Sequence, residues 1–128
     1  MTNEHIDLAI INRAKEDNVK LVQLQFTDIN GNIKAVTIPV ERFPESIEKG
    51  IWFDGSSIEG FTRICESDMY LKPDTSTYAL LPWETEEATA RLFCDVYMPD
   101  GSPFEGDPRY ILKRAIKNAR AMNFEYNV

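Results

Sequence analysis

Residues 51–68, IWFDGSSIEGFTRICESD, hold the side chains best suited to chemistry. Asp54 stands between Phe53 and the run Gly55-Ser56-Ser57, a carboxylate beside aromatic rings and hydroxyl groups. Such a carboxylate caps a loop by accepting from neighbouring amides, or faces a cation. Together with adjacent hydroxyls it can hold an ammonium-type ion by charge-assisted hydrogen bonds, and at short range it can take a proton from that ion. Charge alone does not separate these roles. Glu59, Glu66 and Asp68 extend the acidic surface, and Asp68 can equally lock the loop by pairing with a base. Arg63 is the only base in the stretch, and its planar fork suits either that lock or an acidic group elsewhere.

Other chemistries lack their parts. Ser56 and Ser57 have no histidine or lysine base beside them in sequence, so neither reads as an activated nucleophile. The single histidine, His5, has no companion at ligand spacing. There is no GxGxxG junction and no Walker-type glycine-lysine run. Residues 51–103 carry ten acids against three bases, which disfavours a phosphate-backbone binder. The apolar run near the N-terminus is only Leu8–Ile11, followed by Arg13 and Lys15, so neither a signal peptide nor a membrane span is expected, and a cytoplasmic location follows. Cys65 and Cys94 form no CxxC unit, and nothing in them demands an oxidising compartment.

The elements that must position the loop follow from periodicity. Ile6, Ala9, Ile10 and Ala14 recur at helical spacing, predicting an amphipathic helix over 4–17. Val22, Leu24 and Phe26 alternate with polar neighbours, and Val36, Ile38 and Val40 resume the alternation beyond Asn30-Gly31. A hairpin over 20–40 is expected, its two turn residues both tolerant of positive φ and its second strand marked by Pro39 as an edge or a strand end. Residues 41–50 predict a short helical turn stopped by Gly50. The 51–68 stretch shows no sustained period and reads as a long loop, of a length that usually has a function. Short strands are expected at Met69–Leu71, at Thr77–Trp83 and at Ala90–Met98, where Leu92, Cys94, Val96 and Met98 share a face and Cys94 fills core space. Glu84, Glu86 and Glu87 read as a solvated turn.

Residues 99–109, PDGSPFEGDPR, predict a linker, and Asp107-Pro108 then opens a helix as cap and first residue. Its apolar stripe, Leu112, Ala115, Ile116, Ala119 and Met122, needs a partner surface. The expected fold is α+β, a sheet of four or five mostly antiparallel strands with helices packed on it. No complete set of metal ligands or phosphate cradle is apparent, so a catalytic Asp54 requires the rest of its site from another domain or another copy.

The run Phe53-Asp54-Gly55-Ser56-Ser57, followed by Glu66-Ser67-Asp68-Met69 and Pro73-Asp74, resembles the N-terminal signature of type I bacterial glutamine synthetase. RLFCDVYMPDGSPFEGDPR (91–109) resembles that enzyme's crossing into its catalytic domain, and Leu24–Asp28 with the Asn30-Gly31 turn fits the same pattern. The resemblance covers essentially the whole chain. It implies a β-grasp-like domain over 1–103 and the first helix of a truncated catalytic domain over 104–128. It implies ATP-dependent ligation of ammonia to L-glutamate through γ-glutamyl phosphate, in a homododecamer of two hexameric rings, each site lying between two subunits. ATP and Mg2+ or Mn2+ are the implied cofactors of the full-length enzyme. None is expected on the fragment, which is expected to be inactive alone.

By motif position the resemblance makes Asp54 the carboxylate that binds and deprotonates ammonium, and Ser57 a residue lining the same pocket. Phe61 becomes an aromatic neighbour of the nucleotide and Asp68 the loop-locking acid. Arg63 lies where the Bacillus-like, feedback-inhibited branch carries an arginine linked to inhibition by glutamine. Two alternatives stand beside this reading: a non-catalytic ubiquitin-like interaction domain, and a γ-glutamyl ligase for another amine. No nucleic acid or membrane partner is expected.

Overall fold

The protein is described by a computed structural model, covering residues 2–55 and 68–125. In chain order the elements are α1 (Thr2–Glu16), β1 (Leu21–Thr27), β2 (Ile33–Pro39), α2 (Phe43–Lys49), β3 (Ile51–Asp54), β4 (Asp68–Pro73), β5 (Ala79–Leu80), β6 (Thr89–Tyr97) and α3 (Pro108–Ala121). Single 3-10 turns at Val40–Arg42 and Thr75–Thr77 join some of them. The strands form one curled sheet in the order β2-β1-β6-β4-β3, with β5 also paired to β6.

β6 is central because its alternation is the longest unbroken one. Ala90, Leu92, Cys94 and Val96 are all buried on one face, opposite the buried Val22, Leu24 and Phe26 of β1 and Met69 and Leu71 of β4. Cys94 is a core residue, as its place in the alternation predicts, and burial pushes its thiol well above the usual range. β1 and β6 run parallel, whereas every other pairing is antiparallel. A parallel pair requires a long crossover, here everything from β2 to β5. The sheet is therefore mixed, with six strands rather than four or five. β2 is an edge strand, as Pro39 indicates.

The inner face is closed by the two N-terminal helices, through Ala14 of α1 and Phe43 of α2, with Ile10, Ile11 and Ile47 packed at the margin. α2 ends at Gly50 (φ +77°). Its last carbonyls are held from the sheet, where Lys72 Nζ donates to Ile47 O (3.1 Å) and Glu48 O (3.2 Å). In the hairpin, only Gly31 adopts positive φ (+83°), not Asn30. The buried Asp28 closes the turn instead, accepting from the amides of Asn30 (3.0 Å) and Asn32 (2.8 Å).

Three further expectations change. The 51–68 stretch is not all loop, since its first four residues form β3. The strand expected over Thr77–Trp83 shrinks to Ala79–Leu80. The 99–109 segment is not a free linker. Met98 N donates to Ser102 O and Phe104 N to Val96 O, and Phe104 and Asp107 are fully buried. The Asp107 carboxylate accepts from Val96 N with one oxygen and caps α3 through Arg109 N with the other, both at 3.1 Å. The stripe of α3 divides: Ala119 is buried, while Leu112 and Met122 stay exposed.

A charged knot binds the start of α3 to the sheet. Arg109 donates to Asp74 Oδ2 (2.7 Å) and Asp95 Oδ1 (2.8 Å), and Lys113 reaches Asp95 Oδ2 (2.8 Å). Burial alone would raise the Asp74 carboxyl, but hydrogen bonds from Ser76 and Arg109 outweigh it and hold the group below its ordinary value. A depressed native value means that the unfolded chain takes up the proton first on acidification. This contribution is therefore complete above the ordinary aspartate range and lost as pH falls through the native value. Arg109→Met is expected to destabilise the protein by roughly 1–3 kcal/mol at neutral pH, the worth of charge-assisted hydrogen bonds. The difference from the parent should narrow once Asp74 is protonated in both. Urea unfolding at neutral and strongly acidic pH measures this; an equal deficit at both would show that Asp74 is not the group concerned.

Candidate functional site

The candidate site begins where β3 ends. Gly50 turns the chain out of α2, and Ile51 and Phe53 then point inward, Ile51 buried and Phe53 half-buried against Phe26 with ring centroids 5.1 Å apart. Period-two alternation sends Trp52 and Asp54 to the opposite, exposed face. β4 supplies the facing row: Phe53 pairs with Met69, Trp52 with Tyr70, and Asp54 with Asp68.

Asp54 and Asp68 are thus direct cross-strand partners, both exposed. Side chains so placed have Cβ atoms about 4.5–5.5 Å apart, and like charges there repel. An ammonium ion offers donors that two carboxylates can share.

Below the carboxylates runs an aromatic row across three strands. Trp52 lies 5.0 Å from Tyr70, tilted by 47°, and Tyr70 stacks on Tyr97 at 5.4 Å and 18°. Burial and then the Asp95 carboxylate push the Tyr97 phenol upward, so it stays protonated and neutral. Sequence reasoning missed the row, because Ile51, Trp52 and Phe53 form a continuous apolar run that hides the alternation between faces. Tyr70 opposite Trp52 is legible only once the β3–β4 register is known.

Of the residues singled out from the sequence, the structure brings Asp54 and Asp68 together. Ser57, Phe61, Arg63 and Cys65 lie outside the described residues. Among the described residues no three His, Cys, Asp or Glu side chains converge where they could hold a metal ion. A groove of about 430 Å³ opens in the other half of the sheet, between Phe26, Ile33 and Phe93 and the start of α3 at Arg109 and Leu112. It contains none of the predicted site residues. No helix among the described residues is long and apolar enough to cross a membrane.

A mixed sheet with a central parallel pair and helices on its inner face is the frame of a β-grasp domain. Residues 18–99, well over half of the chain, match the family model described as glutamine synthetase, beta-Grasp domain. The chain belongs to the glutamine synthetase family. It is 58% identical over 111 residues to the glutamine synthetase of Thermotoga maritima, covering 86% of this chain and 25% of that protein. To the Methanosarcina mazei glutamine synthetase it is 54% identical over 120 residues, 93% of this chain and 27% of that one. Among solved structures, a GmaS/ADP complex superposes with a TM-score of 0.78 at 25% identity, over 88% of this chain and 26% of that chain. The cryo-EM structure of Plasmodium falciparum glutamine synthetase shares the fold, with a TM-score of 0.79 at 24% identity over 91% of this chain and 23% of that chain. The chain spans about a quarter of the length of the curated relatives it matches.

Proposed function

We propose that the complete protein is an ATP-dependent glutamate–ammonia ligase, and that this chain lends the ammonium-side loop to an active site completed by a neighbouring subunit. The observation that carries the reading is the position of Asp54: an exposed carboxylate at the end of β3, opposite Asp68, without a converging set of metal ligands among the described residues. A half-site of this kind makes sense when the other half comes from elsewhere. On this reading residues 1–103 form the β-grasp unit and 104–128 open the catalytic domain. The assembly is a homododecamer of two hexameric rings in the cytoplasm, using ATP with Mg2+ or Mn2+.

The proposed chemistry needs little from this chain, but that little is specific. The γ-carboxylate of glutamate becomes an acyl phosphate at the neighbour's expense of ATP. Asp54 and Ser57 hold ammonium at the mouth of the site. Asp54 accepts one proton, which frees the nitrogen lone pair. That pair attacks the carbonyl carbon of the γ-acyl phosphate, the C–O bond to phosphate breaks, the departing phosphate takes the second proton from the nitrogen, and glutamine and inorganic phosphate leave. A water-poor interface between subunits strengthens the hold of Asp54 on the cation. Phe61 is proposed beside the nucleotide, Asp68 as the acid that holds the loop, and Arg63 as the arginine that reaches the adjacent site in the Bacillus-like branch.

An amine panel on the complete protein tests the reading. With glutamate, ATP and Mg2+, ammonium is expected to support phosphate release and glutamine formation far better than methylamine or a polyamine. Preference for a larger amine would make the protein a different γ-glutamyl ligase, and no turnover with any amine would favour the interaction domain. In the same assay Arg63→Ala is expected to weaken inhibition by added glutamine; an unchanged inhibition curve would remove Arg63 from that role.

A further inference from the structure

β3 is only four residues long, and glycine presses it onto β4 at both ends. A Cβ built on Gly50, where the chain enters, would lie 2.8 Å from the carbonyl oxygen of Leu71 and 2.8 Å from Tyr70 Cδ2. At Gly55, where the chain leaves, a Cβ would run into Met69 Cε and stand 3.4 Å from both Cγ and Sδ. Gly55 is buried and follows Asp54 directly. Met69 has no exposed surface and pairs with Phe53 in the ladder.

The terminal methyl of Met69 is flexible in principle, yet in a close-packed interior it cannot swing without displacing its neighbours. A side chain at 55 would therefore be accommodated by lifting the end of β3. Asp54 is one peptide away and must move with it.

We propose that Gly55 and Met69 form a positioning pair, the bare backbone of one seated on the side chain of the other, which sets where Asp54 stands over Asp68. The inference rests on the reading of Asp54 as the ammonium-side carboxylate, and it adds two residues that carry no polar side chain and take no part in the chemistry.

The experiment uses the complete protein, with Gly55→Ala, Gly55→Ala/Met69→Val and Asp54→Ala measured in parallel. Gly55→Ala is expected to raise the KM for ammonium about 10- to 100-fold, the scale expected for an ångström-sized misplacement, while the KM values for ATP and glutamate stay near the parent. Removing the methionine's far end should relieve the contact, so the double variant is expected to recover most of the lost ammonium KM. A merely structural role would lower assembly and all three substrates together. An unchanged ammonium KM in Gly55→Ala, or a folded double variant no better than the single one, overturns the proposal. If Gly55→Ala does not fold, the double variant decides: recovered fold and ammonium KM support the pair, and failure to recover overturns it. Asp54→Ala separates the two levels. If it loses ammonium use while Gly55→Ala does not, only the positioning role falls; if it keeps ammonium use, the reading of Asp54 itself falls.

Discussion

Asp54→Ala in the complete protein is expected to lower glutamine formation at limiting ammonium by two to four orders of magnitude, the usual worth of a positioned proton acceptor. Assembly and thermal stability should change little, for a physical reason visible in the sheet. Asp54 is exposed at a strand end, its cross-strand partner is a second carboxylate, and exposed substitutions generally stay within about 0.5 kcal/mol. Asp54→Asn sharpens the test. It preserves size and one acceptor oxygen but cannot take the proton, so ammonium binding should suffer less than turnover. Steady-state kinetics with ammonium as the varied substrate, repeated across pH, measure both. Near-parental synthesis by Asp54→Ala at limiting ammonium would remove this carboxylate from the mechanism and leave only the fold assignment.

Phe104→Ala is expected to have the largest effect on stability, about 3–5 kcal/mol for removal of a buried aromatic ring. A domain of ordinary stability holds about 5–15 kcal/mol in all. Phe104 is 1% exposed and belongs to the main core. Gly106 lies so close to its ring that a Cβ there would fall 2.6 Å from Cζ. The backbone of 98–104 is hydrogen-bonded back onto β6, so the cavity left by alanine would be roofed by a strapped segment that cannot easily collapse. Equilibrium urea unfolding gives the number. A loss below about 1 kcal/mol would mean that the segment behaves as the loose linker its prolines and glycines suggest.

That segment shows where local reasoning stops. Three prolines and two glycines in residues 99–109 correctly rule out helix and long strand. They say nothing about whether the segment is solvated, and one aromatic residue inside it decides the matter by finding a place in the core. The Asn30-Gly31 turn is a similar case. Its location was legible, but its chemistry depends on Asp28, whose carboxylate outcompetes a two-residue turn by satisfying two amides at once. In the candidate site, the FDGSS run marked Asp54 without help from any fold. The strand that carries it was hidden by three consecutive apolar residues, of which Trp52 faces outward to an aromatic row and the other two inward.

By itself the sequence determined the repeating features: which stretches alternate with period two, where Asp107-Pro108 opens a helix, and that Cys94 belongs inside. These follow from side-chain type at short spacing, which the chain carries wherever it folds. Only the tertiary structure decided that β1 and β6 run parallel, that Asp54 meets Asp68, that Trp52 stacks toward Tyr70 and Tyr97, and that Arg109 joins Asp74 to Asp95. Each of these joins residues distant along the chain. Their pairing is selected by which apolar faces can be buried together at once, a condition on the whole sheet that no local pattern contains.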